Sequence, residues 1–158
     1  MKAKFLSSIL AVLMLVVFSQ SASSQAIGNA YKSALGVKFW PFAANFKTFV
    51  GTRDRAIEIL AYFNDGFRVA GLYEFHTDLT TQGNLKLYAG FGGHAGYYSN
   101  TGEKEGMSLG VGGVVGLDYK FTKLPLDLAL DWQPSFEFLT PSTGFQGGRG
   151  GLAVRFAF

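Results

Sequence analysis

The sequence predicts an all-β protein, a closed antiparallel up-and-down transmembrane β-barrel of about eight strands. Three observations support this fold class: several long segments alternate apolar and polar residues, the chain ends on alternating apolar residues, and the composition suits strands. The chain has 158 residues, with 21 Gly, 16 Phe and 7 Tyr beside 16% charged residues. This composition is typical of strands, tight turns and aromatic belts, and the length fits one domain.

The N-terminus has the three-part layout of a secretory signal peptide. Lys2 and Lys4 precede an apolar run over residues 5–18, and a segment rich in small residues follows. The run is shorter than the roughly 20 residues that a membrane-spanning helix needs. We therefore expect residues 1–26 to be a signal peptide cleaved after Ala26, with Ala22 as the second choice. Residues 27–158 then form the barrel domain.

Cysteine content and charge restrict the other possibilities. The chain has no Cys, so it has neither a disulfide framework nor the N-terminal Cys of a lipoprotein anchor. It has 14 Lys and Arg against 11 Asp and Glu, and removal of Lys2 and Lys4 leaves 12 against 11. A nearly neutral mature chain does not predict a nucleic-acid partner.

Strict alternation defines three strands clearly. In Leu85–Tyr98 the odd positions are apolar and the even positions are polar or small, and Met107–Phe121 and Leu124–Phe138 repeat the pattern. Pro134 cannot donate to a ladder, so it predicts a bulge or the point where its strand leaves the membrane. Five further strands follow from weaker patterns: Ser33–Trp40, Asn45–Val50, Ala56–Phe63, Phe67–His76 and Gly147–Phe158.

The strand count is eight if the first two hairpins are complete crossings. Their strands are short against the roughly 9–11 residues of a transmembrane strand, so the count lies between six and eight. On the apolar face, aromatic residues gather near strand ends, with aliphatic and small residues between them. This distribution is typical of the aromatic girdles around a lipid-facing band.

The opposite face combines small residues with charges of both signs and is predicted to line the lumen. An eight-stranded barrel is only wide enough inside for side chains, so these charges must pair. The basic and acidic candidates on this face are Lys38, Lys47, Arg68, Lys86, Lys120, Arg149, Arg155, Glu58, Glu74, Asp118, Asp127, Asp131 and Glu137.

Within this set, the residues predicted to form lumen ion pairs are Glu74, Lys86, Lys120, Asp127, Asp131, Arg149 and Arg155. The loop between the Phe67–His76 and Leu85–Tyr98 strands predicts a register that places Glu74 opposite Lys86. A turn over residues 122–125 would place Lys120 opposite Asp127.

The last residues carry a second motif. Leu152, Val154, Phe156 and Phe158 alternate to the terminus and resemble the C-terminal insertion signal that the barrel assembly machinery reads. Residues 27–158 as a whole resemble the small eight-stranded outer-membrane barrels, of the outer membrane protein A transmembrane-domain and outer membrane protein X kind. The segments Gly66–His76 and Tyr88–His94 are also similar to short barrel proteins of unassigned function.

This resemblance implies a monomer in the cell outer membrane of a Gram-negative bacterium. It further implies contact with outer-membrane lipid and lipopolysaccharide, and delivery by periplasmic chaperones to the barrel assembly machinery. It implies no catalytic residues, so the expected role is structural or one of interaction at the cell surface.

Catalytic, cofactor and metal sites are not predicted. His76 and His94 both face the lumen, but the predicted register separates them by about 30 Å, too far for a shared metal. The Gly clusters are followed by no helix that could bind phosphate. Two alternatives stay open: a lipid A modifying barrel enzyme of the deacylase or acyltransferase type, and a narrow pore for small solutes. The enzyme needs a Ser within hydrogen-bond reach of a base. Ala95 and Gly96 follow His94, so a His-x-Ser pair on one strand face is missing.

Overall fold

The computed structural model describes residues 31–51, 54–64, 66–99, 105–139 and 143–158. The predicted signal peptide lies outside the described residues. Within them, no helix is long and apolar enough to cross a membrane. The strands are β1 (Ser33–Phe39), β2 (Ala43–Phe49), β3 (Arg55–Tyr62), β4 (Gly66–Asp78), β5 (Leu85–Tyr98), β6 (Gly106–Lys120), β7 (Leu126–Trp132), β8 (Ser135–Leu139), β9 (Gly144–Gln146) and β10 (Gly150–Ala157).

These segments form one closed antiparallel barrel of eight strands, which confirms the predicted all-β, closed up-and-down barrel. Both β7 and β8 pair with β6, so they are two halves of the seventh barrel strand. Likewise, β9 pairs with β8 and β10 pairs with β7, so β9 and β10 are halves of the eighth. Pairing of β1 with β10 and of β5 with β6 closes the sheet.

The up-and-down topology gives the barrel two distinct ends. The last residues of β1, β3, β5 and β8 lie at one end, here called the loop end. The start of β1 and the last residues of β2, β4, β6 and β10 lie at the opposite end, here called the turn end. Both short hairpins at the N-terminus belong to the barrel, which sets the count at eight. Their ladder continues past the strand ends, where the Phe49 and Val50 amides donate to the Lys32 and Arg55 carbonyls.

The predicted start of the eighth strand is wrong, and so is the bulge, one of the two predictions for Pro134. The eighth barrel strand begins at Gly144, ahead of the predicted Gly147, because Gly144–Gln146 pairs with β8 before the Gly-rich segment 147–149 interrupts the ladder. Pro134 interrupts the seventh strand without a bulge, since the register against β6 is the same on both sides of it. The register shift lies further on, between Leu109 and Gly110 of β6.

Glycines on the inner face of β6 make room for two side chains that cross the strand. Tyr88 and His94 of β5 lie opposite Gly116 and Gly110, respectively. A Cβ at Gly116 would lie 2.8 Å from Cζ of Tyr88, and a Cβ at Gly110 would lie 2.7 Å from Nε2 of His94. Each ring therefore passes over a glycine that has no side chain and reaches a carboxylate on the next strand. Tyr88 reaches Asp131, and His94 reaches Glu137.

We predict that Gly116→Ala lowers the free energy of unfolding by about 1–3 kcal/mol, because the added methyl overpacks the lumen. Its Cβ would also lie 2.6 Å from both Cβ of Asp131 and the Leu130 carbonyl oxygen. Gly113→Ala on the same strand is the matched control, since its Cβ meets only the Gly90 oxygen at 3.5 Å. Urea titration of the folded protein measures both, and equal midpoints would contradict the crossing geometry.

Candidate functional site

The lumen holds the polar chemistry of this protein, because the burial pattern is the reverse of that of a water-soluble barrel. Large apolar side chains are exposed on the outer face, whereas charged side chains are buried inside. The buried charged residues are Lys38, Lys47, Glu58, Arg68, Glu74, Asp118, Lys120, Asp127, Asp131, Glu137 and Arg155. Burial of this kind requires each charge to find a partner.

Six of these residues form a connected group in the turn-end half, here called the turn-end network: Lys47, Glu58, Glu74, Asp118, Asp127 and Arg155. Nζ of Lys47 lies 2.9 Å from Oε2 of Glu74 and 3.0 Å from Oδ2 of Asp118. The Arg155 guanidinium contacts three carboxylates, with its shortest distance, 2.9 Å, to Oδ1 of Asp127. Asp118 contacts both cations and so joins the two halves of the network.

Aromatic and neutral groups complete the turn-end network. The Tyr31 hydroxyl donates to Oδ2 of Asp127 at 3.0 Å, and His76 is bonded to Glu74 at 3.0 Å. The His76 ring stacks on Tyr88, and Nζ of Lys47 lies 4.3 Å from the centre of the Tyr88 ring. These contacts fill the space between the charges and keep them apart from water.

Two polar contacts cross the lumen near its middle. Lys38 pairs with Asp131, which also accepts a hydrogen bond from the Tyr88 hydroxyl at 2.8 Å. Tyr62 donates to Oε1 of Gln133 at 2.7 Å. Together with the turn-end network, these contacts occupy the lumen from its middle to the turn end.

A separate group surrounds Glu137 in the loop-end half, here called the loop-end cluster: Arg68, His94, Ser108, Ser135, Glu137 and Arg149. One carboxylate oxygen accepts from Arg149 at 2.9 Å, and the other contacts His94 at 2.7 Å and accepts from Ser108 at 3.0 Å. Within this cluster two guanidinium groups share one carboxylate, so the charges do not balance there.

The predicted pairing of Glu74 with Lys86 is wrong. Lys86 lies opposite Asp78 in the register of β4 and β5, and its Nζ is 2.7 Å from Oδ1 of that residue. This pair is at the edge of the barrel, where the Asp78 side chain is 56% exposed. Glu74 instead contacts Lys47, two strands away.

The other predicted pair candidates lie in the lumen. Lys120 lies opposite Asp127, as the turn over residues 122–125 predicts, and its Nζ also donates to the Phe121 and Leu124 carbonyls. Asp127 pairs with Arg155, Asp131 with Lys38, and Arg149 with Glu137. Sequence reasoning did not predict that tyrosine hydroxyls would donate to polar side chains in the lumen. The position of Tyr88 on the polar face of β5 was the available signal for it.

The histidines lie in different groups. His94 is opposite Ala70, six residues along β4 from His76, which corresponds to about 20 Å rather than the predicted 30 Å. The described residues contain no group of three or more His, Cys, Asp or Glu that could hold a metal ion. The hydroxyls of Ser108 and Ser135 both donate to Glu137 rather than to His94, so they help to position this carboxylate.

Comparison of the chain with protein-family models, curated proteins and solved structures gave no match. The interpretation of the site therefore depends on the geometry of this chain. Among the described residues, the barrel has apolar side chains outside and, inside, the turn-end network, the Lys38–Asp131 pair and the loop-end cluster.

Proposed function

We propose that this chain is an integral outer-membrane β-barrel protein with a side-chain-filled lumen and a structural or surface-interaction role. The main support is the burial pattern, in which apolar side chains are exposed outside and charged side chains are buried inside, the reverse of a water-soluble barrel. Outward residues of β6 such as Leu109, Val111 and Val115 are 42–49% exposed, whereas Asp118 on the same strand is 3% exposed. A continuous apolar surface of this kind is unfavourable in water and favourable in hydrocarbon.

The closed hydrogen-bond ladder supports the same proposal. A bilayer core offers no water to unpaired backbone groups, so a spanning sheet must close on itself. Here the first and last strands pair from Ala34 and Ala157 to Phe39 and Leu152.

Aromatic contacts on the outer face lie near both ends of the barrel. At the loop end the rings of Phe63 and Phe67 are 5.7 Å apart. At the turn end Tyr119 and Phe121 are 5.0 Å apart. Aromatic rings at two levels with aliphatic residues between them are typical of the interfacial girdles of membrane barrels. Phe91, which is 62% exposed, lies between these levels as an exception.

Fractionation of an expressing Gram-negative host tests the proposal. We expect the folded chain in the outer-membrane fraction, resistant to extraction with alkaline carbonate, with the predicted signal peptide removed. Recovery of folded protein in a soluble fraction would contradict the proposal. The filled lumen predicts, in addition, that purified protein in planar bilayers shows no steady ion conductance.

The proposed terminal insertion signal gives a separate prediction. Phe158→Ala should lower the outer-membrane level several-fold while export continues, because the side chain that the assembly machinery would read is lost. The backbone bonds that Phe158 makes with Ser33, at 2.8 and 2.9 Å, remain available in this variant. Phe42→Ala, which removes an exposed aromatic ring at the loop end, is the control and should insert normally. Equal outer-membrane levels of the two variants when assembly machinery is limiting would contradict the signal.

A further inference from the structure

A recess of ≈ 270 Å³, a volume that includes open solvent, lies in the lumen beside the loop-end cluster. Arg68, Arg149, His94 and Gln133 are among the side chains that line it. Small residues, including the glycines at positions 92 and 112, leave the space between these polar groups open. The recess therefore combines free volume with a surplus of cationic and donor groups.

Three donor atoms in this recess, on Arg68 and Gln133, lack acceptors. Arg68 is only 8% exposed, yet its Nε and Nη1 atoms have no hydrogen-bond partner, and neither does Nε2 of Gln133. The carboxylate nearest to Arg68 is that of Glu137, at 3.7 Å, beyond hydrogen-bond reach. Both oxygens of Glu137 already interact with other groups of the cluster. Buried donors without acceptors are costly, so this arrangement favours an additional acceptor, and the cationic charge beside it favours an anionic one.

The chemistry of the donors indicates which anion would fit. Guanidinium groups present planar forks of N–H donors that match the oxygens of phosphate and carboxylate groups. The donors approach the recess from three places in the barrel: Arg68 from β4, Gln133 from the seventh barrel strand and Arg149 from the 147–149 segment. This arrangement suits an anion with more than two oxygens. We propose that the loop-end recess binds a phosphate group through Arg68, Arg149 and Gln133.

The recess is a binding site rather than a passage. The bond from Tyr62 to Gln133 and the pair of Lys38 with Asp131 lie on its turn-end side. A phosphate that enters from the loop end meets these contacts and cannot proceed along the lumen. The bound anion would balance the second guanidinium group of the loop-end cluster.

Titration of the folded full chain with inorganic phosphate, in uncharged glycoside detergent at constant ionic strength, tests the proposal. We expect saturable binding by calorimetry and a urea midpoint that rises with phosphate concentration, because a ligand that binds only the folded state stabilises it. Arg68→Gln should weaken the affinity by about tenfold or more, the effect of losing charge-assisted hydrogen bonds. Its urea midpoint should rise only at correspondingly higher phosphate concentrations.

Arg55→Gln is the matched control, since Arg55 is exposed at the turn end and lies outside the recess. It should bind phosphate as the unchanged chain does. If Arg68→Gln does not fold, Arg149→Gln provides the second variant, with the same loss expected. Absence of saturable binding by the unchanged chain would overturn the proposal, as would equal affinities of the folded recess variant and Arg55→Gln.

The phosphate group could belong to a free anion or to a lipid headgroup. Phosphate titrations of the chain in phosphatidylcholine vesicles that contain either phosphatidic acid or phosphatidylglycerol distinguish these sources at equal membrane charge. If free phosphate binds more weakly in the vesicles with phosphatidic acid than in those with phosphatidylglycerol, a lipid phosphate monoester enters the recess. Equal binding in both vesicles would show that the site takes the free anion. Both results support a phosphate site.

Discussion

Lys47→Ala is expected to lower the free energy of unfolding by about 3–5 kcal/mol, the cost of removing one partner of a buried ion pair. Lys47 is fully buried, and its Nζ lies within 3.0 Å of carboxylate oxygens of both Glu74 and Asp118. Its loss leaves Arg155 as the remaining cation shared by the carboxylates of the turn-end network. It also removes the contact with the Tyr88 ring.

The matched control is Lys86→Ala, which removes the same side chain from the edge of the barrel. Because its partner Asp78 is 56% exposed, this change should cost under about 1 kcal/mol. Urea titration of both variants, refolded into the same lipid vesicles, measures the difference. Equal losses of stability would contradict the assignment of the turn-end network as the main ionic closure of the lumen.

Val115→Arg is expected to destabilise the protein by about 2–4 kcal/mol if the outer face of β6 meets the middle of a bilayer, because the charge must then be held in hydrocarbon. Val115 lies on the outer face, 42% exposed, midway along the part of β6 that pairs on both sides. The Val115 side chain has no hydrogen-bonding atom to lose, so the environment of the new charge decides the outcome.

Leu124→Arg is the control for Val115→Arg. Leu124 is similarly exposed, at 49%, but it lies in the connection between β6 and β7 at the turn end. Charges near the interface cost about 0–1 kcal/mol, so the two arginine variants should differ clearly in lipid vesicles. A neutral effect of Val115→Arg would show that this face is not in hydrocarbon.

The sequence was sufficient to predict which face each side chain occupies, because the period of a strand is two. The register between β4 and β5 was not predictable, since the turn sets it. β4 continues to Asp78, and a tight turn with Gly83 at positive φ joins it to β5. The observed register differs from the predicted one by four residues, because Glu74 lies opposite Gly90 and not Lys86. Four is an even number, so Glu74 still faces the lumen and only its partner differs from the prediction.

The composition of the ionic groups depends on the closed barrel. Lys47 of β2 reaches Asp118 of β6, and Arg68 of β4 approaches Glu137 of β8, so strands far apart in the sequence contribute to one cluster. These distances depend on the stagger and closure of the sheet, which a linear pattern does not contain. For the same reason, the nearly equal numbers of acidic and basic lumen candidates in the sequence could not show that two guanidinium groups share one carboxylate at the loop end.

Spin-label accessibility on β6 tests the central claim most directly. The chain has no Cys, so Val115→Cys introduces a single labelling site, and Lys123→Cys provides a label in the turn-end connection. In lipid vesicles, the label at Val115 should collide often with oxygen, which partitions into lipid, and rarely with a water-soluble nickel chelate. The label at Lys123 should show the opposite preference. Equal nickel accessibility at the two positions would contradict a lipid-facing barrel exterior.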